Sequence, residues 1–104
     1  MRLRLSKYVS GDLEEIADYI AQDSPRNAIR LIRLLRQRMQ EIAKQPQLYQ
    51  LRPEIGHDAR LAILGNYVIL FRILNNSVRV ERVLHGSRDL FPISAEFELT
   101  EIEN

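Results

Sequence analysis

Apolar and polar residues alternate at the start of the chain, Arg2-Leu3-Arg4-Leu5-Ser6-Lys7, the period-2 pattern of a strand with one wet face. The period then changes. Leu13, Ile16, Ala17 and Ile20 recur at helical spacing and predict a helix from Ser10, as N-cap, to about Gln22. Asp12, Glu14 and Glu15 fall in its first turns, where the helix dipole favours negative charge. Ser24-Pro25 restarts the chain as an N-cap followed by proline at the first helical position. Ile29, Ile32, Leu35, Met39 and Ile42 then predict one apolar stripe on a second helix running to about Lys44. Two helices joined by so short a turn form an αα-hairpin.

Gln45-Pro46 stops the second helix, and Leu48 to Asp58 has the composition of an irregular connector. Strands are expected at about 60–64, 67–74 and 78–85. Gly65-Asn66 is a two-residue hairpin signal, and Asn75-Asn76-Ser77 a slightly longer turn. In the middle strand Tyr67, Ile69, Phe71 and Ile73 share one face, and Val68, Leu70 and Leu74 the other. A strand apolar on both faces lies near the centre of a sheet, covered on both sides or packed in an oligomer. Its one charge is Arg72. The order β-α-α-β-β-β gives an α+β fold, a helical hairpin packed on an antiparallel sheet. Residues 1–104 are expected to make a single domain, with 94–104 an acidic C-terminal tail.

Composition narrows the classes. Hydrophobic residues at 45% and charged ones at 28% are ordinary for a globular chain of 104 residues. The absence of cysteine excludes disulfides, thiolate metal sites and cysteine nucleophiles. No apolar run approaches the roughly 20 residues of a membrane helix, and the N-terminus lacks the apolar core of a signal peptide. The expected location is the cytoplasm, with no membrane partner. A net charge of +1 hides strong segregation. Arg26, Arg30, Arg33, Arg36, Arg38 and Lys44 face only Glu41, whereas Asp12 to Asp23 carries five acids and no base. The basic helix thus either meets an acidic or polyanionic partner or is neutralised by its neighbour.

Candidate chemistry collects where the last strand ends, in Val83-Leu84-His85-Gly86-Ser87-Arg88-Asp89-Leu90-Phe91. An imidazole, a guanidinium and a carboxylate come together there at the rim of a sheet, on a loop positioned by a rigid strand. His85 either hydrogen-bonds its own turn or acts on a partner, and Arg88-Asp89 either form a local ion pair or face outward. Arg72 is expected to pair with Glu54 or Glu81. Arg82 shares strand parity with Val78, Val80 and Leu84, which would pack its stem on the core and leave its head in solvent. His57-Asp58 has no neighbour at ligand spacing, so no metal site is expected. The four glycines make no phosphate loop, and no cofactor is implied. Tyr8, Tyr19 and Tyr49 are expected in the core or at its rim.

Several segments together carry a resemblance. They are Asp12-Leu13-Glu14-Glu15-Ile16-Ala17-Asp18-Tyr19-Ile20, Asp23-Ser24-Pro25-Arg26-Asn27-Ala28, Pro46 with Arg52-Pro53-Glu54-Ile55, Tyr67-Val68-Ile69-Leu70-Phe71-Arg72, and Arg82 through Asp89. In order and spacing the chain resembles the ParE branch of the RelE/ParE toxin superfamily, with Phe71 standing where the family often has tyrosine. The resemblance implies a toxin that inhibits DNA gyrase and blocks replication, neutralised in a hetero-oligomer by a ParD-like antitoxin. RelE-like relatives instead cut messenger RNA at the ribosome.

RNA cleavage needs a base, an acid and cations around the phosphorane. Arg60, Arg72, Arg82 and Arg88 supply cations, but no tyrosine follows Tyr67, and Ser94 stands where RelE-like chains tend to place one. Only His85 or His57 remains as an acid–base group. The expectation is therefore a non-enzymatic inhibitor, with a RelE-like ribosome-dependent endonuclease as the alternative. No sequence-specific DNA binding by the chain alone is expected. Target contact is placed at His85, Arg88, Asp89 and Arg82 with the tail. Antitoxin contact is placed at the margins of the helical stripes, Leu13, Ile16, Ile20, Leu35 and Met39, in a groove that a partner helix or strand would fill.

Overall fold

A computed structural model describes residues 1–87. Arg88, Asp89 and the acidic tail 94–104 lie outside the described residues. The elements are β1 (Arg2–Leu5), α1 (Val9–Ala21), α2 (Pro25–Lys44), a 3-10 turn at Pro46–Leu48, β2 (Gln50–Leu51), β3 (Arg60–Leu64), β4 (Tyr67–Leu74) and β5 (Ser77–His85). Among the described residues the strands form one sheet in the order β1-β5-β4-β3-β2. The architecture is the expected α+β arrangement of two helices on a sheet, with two refinements. The connector contributes the short strand β2, antiparallel to β3, and β1 joins β5 in parallel rather than antiparallel.

Local chemistry explains the boundaries. Ser24 caps α2 as expected, its side chain accepting from Asn27 N at 3.2 Å. Ser10 does not cap α1, which begins earlier, at Val9. The entry is held by Ser6 instead: its hydroxyl donates to Glu81 O at 2.6 Å and accepts from Tyr8 N at 3.2 Å. That fixes the corner between strand and helix. Gly65, at φ 58, makes the first hairpin turn. Asn75 and Asn76, at φ 49 and 63, form a two-residue turn rather than the longer one expected, because asparagine tolerates the left-handed region. Leu74 therefore pairs directly with Ser77, where β5 starts.

The main core lies between the helices and one face of the sheet. Val9, Leu13, Leu35, Met39 and Ile42 from the helical side meet Ile69, Phe71, Val78, Val80 and Val83. Tyr49 packs edge-on to Phe71, with ring centroids 5.7 Å apart. The expected stripe of α2 is corrected at its first member, because Ile29 is 62% exposed. At about 100° per residue Ile29 sits some ~120° from Leu35, and Ala28 takes its place inward. The opposite face of β4 is covered by the connector, whose Ile55 and Ala59 pack on Val68, Leu70 and Leu84. The connector closes on itself through Arg52 N to Ala59 O at 2.7 Å. The two-sided apolar strand thus needs no second copy to cover it.

Leu35→Ala should therefore lower stability by about 3 kcal/mol through the cavity it leaves. Ile29→Ala should change it by less than about 0.5 kcal/mol. Urea denaturation followed by circular dichroism checks both, and equal losses would contradict the placement of α2.

Candidate functional site

The end of β5 is shaped by a bulge. Leu70 pairs with Arg82 and Phe71 with Val80, so Glu81 is an extra residue that the facing strand does not match. The side-chain alternation shifts there. Val78, Val80 and Val83 all enter the helix-side core, while Leu84 joins the opposite cluster. This corrects the expected placing of Arg82, whose head is not in solvent. β1 ends beside Val80, and beyond it the edge of β5 is open to α1. There the Arg82 guanidinium donates twice to Asp12, Nε and Nη2 each at 2.8 Å, and stacks over the Tyr8 ring at 5.2 Å. Asp12 also accepts from Val83 N at 3.0 Å. A carboxylate from the first turn of a helix thus completes a strand edge that β1 does not reach.

The other cations of β3, β4 and β5 are similarly engaged. Arg72, directly opposite Arg79, meets the bulged Glu81 at 3.2 Å, and Arg79 reaches the other oxygen of the same carboxylate at 2.8 Å. Glu81 therefore offsets two like charges that face each other across the ladder. The expected pairing of Arg72 with Glu81 is what the structure shows. Arg60 donates to Tyr49 O at 2.7 Å and so fastens the turn after α2. His85 is exposed, and its Nδ1 accepts from Ser87 N at 3.2 Å, with the Ser87 hydroxyl 2.7 Å away. Gly86 beside it leaves little room for a side chain, because a Cβ there would lie 3.3 Å from Asn66 O, the acceptor of Gly86 N. Among the described residues no group of three or more histidine, aspartate or glutamate side chains is placed to hold a metal.

His85 also forms one wall of a groove of about 670 Å³ between α1 and the end of the β4–β5 hairpin. Ile16, Tyr19 and Ile20 line it from the helix, and Asn66, Tyr67 and His85 from the strands. Tyr67 and His85 stand edge to face, with ring centroids 5.4 Å apart. Burial, with Tyr19 nearby, pushes the Tyr67 hydroxyl above the ordinary tyrosine value of 10.0. The phenol is thus a neutral donor at physiological pH. Tyr19 is 66% exposed and stands at the mouth. Mostly apolar walls, with the carboxylates Asp12 and Glu15 on the helix side, suit the docking of a peptide segment more than proton transfer to a reacting group.

The residues expected to meet partners divide sharply. Leu13, Leu35 and Met39 are core residues, with no more than 4% of their surface exposed. Ile16 is nearly buried, and Ile20, half-buried, shows its edge to the groove. His85 is on the surface, Arg82 is held by Asp12, and Arg88 and Asp89 lie outside the described residues. Sequence reasoning missed Tyr19 and Tyr67 as groove residues. The available signal was Tyr19 itself, a large aromatic next to Asp18 and off the helix's apolar stripe.

Comparison with known proteins bears on the family and the fold. The family model described as the ParE toxin of type II toxin–antitoxin system, parDE, matches residues 3–90. A solved structure titled as the chromosomal ParDE toxin–antitoxin system from P. aeruginosa shares the fold. Its TM-score is 0.71 at 18% identity, over 82% of this chain and 95% of that one. No curated protein matches the chain.

Asp12→Ala would remove the bidentate carboxylate from the Arg82 guanidinium, only 11% exposed, and the acceptor from the Val83 amide together. The expected loss is about 3 kcal/mol in chemical denaturation. Asp12→Asn keeps an acceptor for Val83 and should cost about half as much. An Asp12→Ala protein as stable as wild type would show that the pair does not hold α1 to β5.

Proposed function

The chain belongs to the ParE toxin family of type II toxin–antitoxin systems, and on that premise we propose that it inhibits DNA gyrase by binding it, blocking replication. A ParD-like antitoxin neutralises it in the cytoplasm by laying an apolar segment into the groove between α1 and the β4–β5 hairpin. The observation that carries the reading is the groove itself: an open, mostly apolar trough with Tyr19 and Ile20 on its wall and His85 on its rim. A segment seated there would cover His85. If His85, with Arg88, Asp89 and the tail, also contacts gyrase, one occupant blocks the other, and neutralisation needs no change of fold.

The family is generally non-enzymatic, and the pairing of the sheet arginines supports the same reading. Arg72 and Arg82 are held in ion pairs and Arg60 by a backbone carbonyl. Stabilising a phosphorane would draw these cations away from the contacts that hold β4, β5 and α1 together.

Purified protein tested in a gyrase supercoiling assay, beside cell-free translation, should abolish supercoiling, accumulate cleaved DNA and leave translation intact. Arrested translation with messenger cut at the ribosome would replace this reading with the RelE-like one. Ile20→Arg should weaken capture by a co-expressed ParD-like antitoxin at least about tenfold while inhibition persists. Arg88→Ala, or removal of 94–104, should lower gyrase inhibition with unchanged circular dichroism. Full inhibition by both variants would place the target contact elsewhere.

A further inference from the structure

The outer face of α2 carries charge that the fold does not use. Arg26, Arg30, Arg33, Arg36 and Lys44 are exposed, and among the described residues none has a hydrogen bond or ion pair through its side chain. The helix's one acid, Glu41, is already taken by Arg38 at 3.3 Å, and Arg38 also donates to Ile63 O at 2.8 Å. At about 100° per residue, Arg26, Arg30, Arg33 and Lys44 fall within an arc of about 60°, opposite Leu35 and the core. Along the axis they span about 27 Å.

The arrangement is unfavourable for the helix alone. Arg26 and Arg30, and Arg30 and Arg33, are like charges at i,i+4 and i,i+3, where they repel. Arg26 also sits in a first turn that has no acidic residue, against the helix dipole. A solvated face needs charge, but not three guanidiniums on successive turns at the N-terminal half of a helix whose one carboxylate, Glu41, lies beyond them and is taken by Arg38. The row of guanidiniums suits a line of phosphates, which they contact bidentately and at any pH.

We propose that this face of α2 binds the phosphate backbone of duplex DNA, without base readout, as a second interaction surface of the toxin. It shares no residue with the groove, which no α2 residue lines among those described. A toxin acting on a DNA-bound enzyme would thereby hold the nucleic acid and the protein through different faces. Duplex DNA is favoured over an acidic protein because Arg26, Arg30 and Arg33 present three guanidiniums on successive turns of one straight line that Lys44 continues.

The test uses the full chain and a fluorescein-labelled DNA duplex of about 20 base pairs, with anisotropy read across a salt series. Four phosphate contacts predict a log–log salt slope of about −3.6. Replacing Arg26, Arg30 and Arg33 together by Gln should flatten that slope by about 2.7 and weaken binding at low salt by more than about tenfold. Arg2→Gln with Arg4→Gln, exposed cations on β1, should leave the slope nearly unchanged. Circular dichroism confirms that each variant is folded. No binding at low salt, equal loss in the β1 variant, or tighter binding to duplex RNA or polyglutamate would each overturn the proposal. Gyrase is absent from the assay, so failure here leaves the gyrase reading standing, and failure there leaves this one.

Discussion

The extra residue in β5, Glu81, is the constraint on which most of this structure depends. A strand with unbroken alternation from Val78 would carry Arg82 into the core and Val83 out of it. The bulge reverses that order after Val80, so that Val83 is buried with Val78 and Val80, and Arg82 is released toward the strand edge. The bulged residue itself is sent to the opposite face, where its carboxylate lies between Arg72 and Arg79. One inserted residue therefore settles two ion-pair systems and the composition of both apolar clusters. Bulges near sheet rims re-aim side chains in this way, and here the re-aimed side chain is the one that fastens the helical hairpin.

That fastening decides where the groove lies. β1 is only four residues long and leaves β5 unpaired beyond Val80. An open strand edge is a liability for a small sheet, and α1 covers it with Asp12 rather than with more strand. α1 is thereby anchored at its first turns. Its later residues, Ile16, Tyr19 and Ile20, stand beside the end of the β4–β5 hairpin without filling the space between. The groove is what remains when a helix is fixed to a sheet at one end, and its apolar walls are the continuation of the core stripe past the point where the sheet stops.

The sequence was informative wherever a single local rule decides the outcome. Ser24-Pro25, Gly65 and the β3 and β4 spans came from capping, turn chemistry and period, and all stand in the structure. Ser10 misled because the Ser6 hydroxyl had a better partner in the Glu81 carbonyl, a contact across 75 residues that no local pattern contains. Ile29 misled because an apolar residue near a stripe scores as part of it, although its angle carries it outward. Arg82 was misplaced for the deepest reason: parity arguments assume an unbroken ladder, and no residue in Arg79-Val80-Glu81-Arg82 announces a bulge. The pairing of Arg72 with Glu81 was legible because a lone cation in an apolar strand must find an acid, and few were within reach. The groove was not, because its lining comes from three separate segments of chain.

The distribution of the arginines also separates two kinds of basic residue that composition alone merges. Those on β3, β4 and β5 are structural: Arg60, Arg72, Arg79 and Arg82 each have a carboxylate or carbonyl that fixes the head, and removing the partner of a buried one leaves a desolvated charge. Those on the outer arc of α2 have no such partner among the described residues and contribute repulsion instead. Among the described residues no ion pair joins α1 to these arginines, and Asp12 is committed to Arg82 on the sheet side. The one ion pair that α1 makes among the described residues thus runs to β5, not to α2. The surplus left on α2 is a surface field, and a fold that keeps such a field against its own local stability presents it to something outside the chain.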